Sequence, residues 1–139
     1  VGQIEDVMPR PKHEHPTPGE LEVLRILWER SPLSVREVME TLNRRRPRAY
    51  TSVMSLLNVM TDKGLLSRKA QGRAFVYAAK VPRQRTMRRM LGDLLGRAFE
   101  GSAELMVAHL LQEANPSAEE LAAIRETIAE YERQHKSGS

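Results

Sequence analysis

The stretch "YTSVMSLLNVMTDKGLLSRKAQGRAFVYAA", Tyr50–Ala79, changes period half-way along. In its first half Val53, Leu56, Leu57 and Met60 recur at spacings of three and four, which places them on one face of a helix. The other face carries Thr51, Ser52, Met54, Ser55 and Asn58. Gly64 is a natural C-terminal stop. Beyond it, two β-prone runs, Leu65–Lys69 and Ala74–Ala79, flank "AQGR", where Gly72 supplies a turn. From Lys63 to Ala79 the cations are Lys63, Arg68, Lys69 and Arg73, and no acid accompanies them. The stretch predicts a helix followed by a basic-tipped hairpin.

Two short helices precede it. In "TPGELEVLRILWER", Thr17 is placed to cap, Pro18 suits the first helical position and Glu20 stands three after the cap. Leu21, Leu24, Leu27 and Trp28 follow at helical spacing, and Pro32 ends the run. In "SVREVMETL", Ser34 and Glu37 repeat the capping pattern ahead of a stripe of Val35, Val38, Met39 and Leu42. The order helix, helix, helix, hairpin is that of a winged helix-turn-helix, whose third helix enters the major groove.

Charge agrees with that order. Between Thr41 and Met90 the cations are Arg44, Arg45, Arg46, Arg48, Lys63, Arg68, Lys69, Arg73, Lys80, Arg83, Arg85, Arg88 and Arg89, against the single acid Asp62. A field so one-sided attracts a polyanion, whereas an ordinary solvated face mixes the two signs. Thr51, Ser52, Ser55 and Asn58 are short hydrogen-bonding groups suited to base edges, and Met54 suits a thymine methyl. Arg44, Arg45, Arg46, Arg48, Lys63, Arg68, Lys69 and Arg73 are the candidate phosphate contacts. Bland readings stand beside these: Thr51 or Ser52 as helix caps, Met54 packed on the hairpin, Asn58 simply exposed, the arginines as a solvated loop.

The chain has 139 residues and a net charge of +4. No apolar run is long enough to span a membrane, and residues 1–15, with Pro9 and Pro11, read as a disordered arm without a signal core. There is no cysteine, which excludes disulfides and cysteine-ligated zinc and fits a cytoplasmic protein. His13 and His15 could ligate a metal, but no further ligand set accompanies them. Neither a phosphate-binding glycine loop nor a Ser/His/Asp arrangement occurs, so neither an enzyme nor a cofactor is expected.

After the hairpin, helices are predicted over 82–99, 102–113 and from Ser117 onward, with Gly101 and Asn115–Pro116 as breaks. Leu91, Leu94, Leu95, Leu105, Leu110, Leu121, Ile124 and Ile128 are more apolar surface than so short a segment buries by itself. They are the candidate dimerisation residues, with an intramolecular core as the rival reading. The expected division is an arm at 1–15, a winged helix at 16–81 and a helical dimerisation domain at 82–135. The expected class is mainly α with a small β-hairpin.

Two segments, "PTPGELEVLRILWERSPLSVREVMETL" and "AYTSVMSLLNVMTDKGLLSRKAQGRAFVYAA", resemble the opening of the penicillinase-repressor family, the BlaI/MecI type. The resemblance covers about residues 16–130. It implies a homodimeric repressor that binds a palindromic operator in double-stranded DNA. Thr51, Ser52, Met54 and Ser55 would then fall at base-facing positions and Arg68, Lys69 and Arg73 on the wing. It also implies control by a sensor-linked protease cutting in the helix around "LMVAHLLQE"; the family's Asn-Phe pair is absent there, and Ala108 and His109 stand near its place. Met54, Val59 and Asp62 occupy positions where the family often has Arg or Lys. The copper-sensing branch's cysteine motif has no counterpart. A reading from another class remains: a winged-helix adaptor that binds an acidic protein.

Overall fold

A computed structural model describes residues 15–136. The expected arm lies outside these residues apart from His15, and so does His13. The elements are α1 (Pro18–Glu29), β1 (Leu33–Ser34), α2 (Val35–Leu42), α3 (Tyr50–Asp62), β2 (Leu66–Gln71), β3 (Ala74–Ala79), α4 (Arg83–Phe99), α5 (Ala103–Ala114) and α6 (Ala118–His135). The class is the expected one, a mainly helical chain with a winged helix-turn-helix at its start.

Both early helices begin as their sequences specify. Thr17 accepts from the Glu20 amide while the Glu20 carboxylate accepts from the Thr17 amide, and Pro18 occupies the first turn where an amide would lack a partner. Ser34 and Glu37 form the same reciprocal pair at α2. The Ser34 amide, then the Ser34 hydroxyl, hold the Glu37 carboxyl below the usual carboxylate range.

The hairpin strands pair from Leu66 opposite Ala79 to Gln71 opposite Ala74. The first strand thus starts one residue later and runs two residues further than the predicted 65–69. Pairing overrides the low strand propensity of Ala70 and Gln71. Gly72, at φ 65°, takes the first position of the two-residue turn, where the II′ type needs a glycine. A third strand, β1, was not anticipated from the pattern. It is two residues long and pairs with β3 (Leu33 opposite Tyr77), giving the order β1-β3-β2.

Val23, Leu24 and Leu27 of α1, Val35, Val38 and Leu42 of α2, and Val53, Leu57 and Met60 of α3 form one core with Leu33, Leu65, Leu66 and Tyr77. The indole N–H of Trp28 donates to the Val81 carbonyl at 2.9 Å, which ties the exit of the hairpin to α1.

The chain divides into two compact units at Leu91–Gly92, inside α4. In the second unit no described residue is buried. Leu91, at the end of the first, and Leu94, Leu105, Leu110 and Ile128 expose about half of their surface, while Leu95, Leu121 and Ile124 are half-buried.

Candidate nucleic-acid interface

The buried line Val53, Leu57 and Met60 holds α3 against the core. At 100° per residue the opposite side of the helix presents Thr51, Ser52, Ser55, Val59 and Asp62, all exposed. Met54 is exposed on the flank. Ala49 is the N-cap and its methyl group makes no capping hydrogen bond, so neither Thr51 nor Ser52 is the cap, and both are exposed. Between Tyr50 and Asp62 there is no lysine or arginine.

Asn58 sits where α3 meets the hairpin. Its Oδ1 accepts from the Tyr77 hydroxyl and from Arg68 Nη1, each at 3.2 Å. Arg68 in turn lies 4.4 Å above the Phe75 ring, a cation–π contact across the two strands. The hairpin is thereby latched to the third helix, and the Asn58 carboxamide oxygen is committed to that latch.

Apart from Arg68, the candidate phosphate contacts fall into two groups. Arg44, Arg45 and Arg46 in the α2–α3 loop, and Lys69 and Arg73 on the hairpin, are exposed. Arg48 and Lys63 are half-buried and each is paired with a carboxylate. Arg48 donates to the Leu42 carbonyl at 3.1 Å and pairs with Glu22 at 2.9 Å. Lys63 pairs at 2.6 Å with Glu20, which is 3% exposed. Two carboxylates of α1 therefore hold the cations that bracket the third helix, Arg48 before its start and Lys63 at its C-cap. Sequence reading assigned Glu20 only its capping role. Its helical position beside Val23, Leu24 and Leu27 was the available signal that it faces inward.

Among the described residues no group of His and acidic side chains could hold a metal, and no helix is long and apolar enough to cross a membrane. Ala108 and His109 are exposed on α5, with the His109 ring 5.6 Å from that of Phe99.

Residues 16–130 match the family described as Penicillinase repressor. The chain belongs to the penicillinase repressor family. It is 35% identical over 121 residues to the transcriptional regulator BlaI of Mycobacterium tuberculosis, covering 84% of this chain and 86% of that one. It is 25% identical over 118 residues to the penicillinase repressor of Bacillus licheniformis, covering 85% and 92%. It is also similar to a solved DNA-binding domain of the repressor BlaI (27% identity, TM-score 0.45, 48% of this chain and 82% of that one). Penicillinase repressors are transcriptional regulators and not enzymes, and this member is a DNA-binding transcriptional repressor.

Proposed function

We propose that the chain acts in the cytoplasm as a homodimer on a palindromic operator. The outward side of α3 lies in the major groove, with Thr51, Ser52, Met54 and Ser55 at base edges. Arg44, Arg45 and Arg46 approach the phosphates from one flank and Arg68, Lys69 and Arg73 from the other. Asn58 serves the same end indirectly, by holding the wing. Arg48 and Lys63, each paired with a glutamate of α1, brace the two ends of α3 rather than reach the phosphates.

The observation that carries the dimer is the lack of any buried residue among the described residues of the second unit, set against the exposure of Leu94, Leu105, Leu110 and Ile128. A second copy covers such a surface in the commonest closed assembly. Pairing two heads raises affinity for a two-fold site by roughly a hundredfold or more, through effective concentration alone. Cutting at Ala108–His109 would detach α6 with Leu121, Ile124 and Ile128, and a sensor-linked protease would release the operator by that route.

Truncation after Glu100 tests the coupling, because the core cluster lies wholly before that point. The truncated chain should sediment as a monomer and lose the intact operator at physiological salt while keeping weak half-site binding. A truncated chain that binds the full operator as tightly as the parent refutes it.

A further inference from the structure

Thr51, Ser55 and Val59 stand at successive spacings of four, so they form a single ridge along the outward side of α3. At 1.5 Å per residue the ridge places a hydroxyl, a hydroxyl and an isopropyl group about 6 Å apart. Val59 is 46% exposed and Met54 37% exposed. Neither belongs to the core cluster nor to the apolar side chains packed against it. Two bare apolar groups thus sit on the surface that faces DNA, and no arginine or lysine of α3 accompanies them.

Donor chemistry narrows what this surface reads. The commonest specific contact to guanine is a bidentate arginine or lysine on O6 and N7, and α3 has none to offer. Asp62, the helix's one charged side chain, accepts hydrogen bonds and cannot donate to guanine. An apolar side chain distinguishes one feature of the major groove, the C5-methyl group of thymine. We propose that thymine methyl groups set this chain's operator preference, with Val59 and Met54 as the residues that meet them and Thr51 and Ser55 hydrogen-bonding beside them. The inference rests on the reading of α3 as the groove-entering helix. Val59 is the addition: it lies one turn beyond Ser55 and takes part only through its methyl groups.

The test separates the two claims. Full-length protein is used to select operators from random duplexes, and each thymine of the recovered half-site is replaced in turn by deoxyuridine, which deletes the methyl group and leaves every hydrogen-bonding edge intact. Affinity is read by fluorescence anisotropy at one fixed salt concentration. At one or more positions the swap should weaken binding about fourfold, the value of one buried methyl-sized group. Val59→Ala or Met54→Ala should abolish the sensitivity at its own position while leaving the melting curve of the protein unchanged. A recovered operator that is indifferent to every deoxyuridine overturns the thymine inference and leaves DNA recognition by α3 standing. Sensitivity that persists in both variants also overturns it. If selection recovers no duplex at all, the functional reading falls and the inference falls with it.

Discussion

The pair formed by Lys63 and Glu20 gives the sharpest stability test. Lys63→Met leaves the Glu20 carboxylate 3% exposed with the Thr17 amide, at 3.0 Å, as its remaining donor. Removing one member of a buried ion pair costs about 3–5 kcal/mol, because the other charge is left in a poor solvent. Here the Lys63 side chain is 39% exposed, so water reaches the pair from one side and screens it. The expected loss is therefore about 2 kcal/mol, or roughly 10 °C in melting temperature for a unit of this size. Trp28 is the only tryptophan in the chain, and it lies in the first unit with its indole bonded to Val81. Its fluorescence in a urea titration reports that unit alone. The double variant Glu20→Met, Lys63→Met should lose less than Lys63→Met, since no stranded charge remains. The double variant also asks whether Lys63 touches DNA: a lysine engaged only with Glu20 leaves the salt slope of operator binding unchanged. A Lys63→Met protein within about 0.5 kcal/mol of the parent refutes the reasoning, since ordinary surface changes cost no more.

Asn58→Ala should cost about 1–2 kcal/mol, because the Tyr77 hydroxyl loses its acceptor at the edge of the core. Its effect on DNA should be a uniform weakening across sequences, seen in competition titrations, because it acts through the wing and Arg68. Glu37 gives a pH signature. Its carboxyl is held below the usual range by the Ser34 amide, so its contribution to stability is fully present above the ordinary carboxylate pKa and is lost as pH falls through the lowered one. Glu37→Gln keeps a cap acceptor that does not titrate, and thermal melts taken from about pH 7 down to about pH 3 should show a shallower acid limb than the parent.

Much of this architecture could be read from local chemistry. The capping boxes at Thr17 and Ser34, the buried line of α3 and the glycine turn at Gly72 each depend on residues within a few positions of one another. What stayed hidden depends on distant partners. β1 has too few residues to show a period, and it exists because β3 offers Leu33 and Ser34 an edge. Lys63 and Arg48 looked like free surface cations because Glu20 and Glu22 are far away in sequence, 43 and 26 residues respectively. The part Asn58 plays in holding the wing was hidden for the same reason: Tyr77, which bonds its oxygen, arrives 19 residues later. Val59 carries no polar signal, so the sequence marks it only as a departure from the family's Arg or Lys.

Ser34 belongs to the sheet, opposite Val76, and it is also the N-cap of α2. Strand and helix meet there with no connector between them to take up slack. One residue inserted between Leu33 and Val35 would have to slip the strand, which turns its side chains to the other side of the sheet, or advance the helix by a quarter turn. Either choice moves the brace beneath α3 relative to the wing. Length variation at this junction should therefore be far less tolerated than at the exposed Arg44–Arg46 of the arginine loop, where added chain can bulge into solvent.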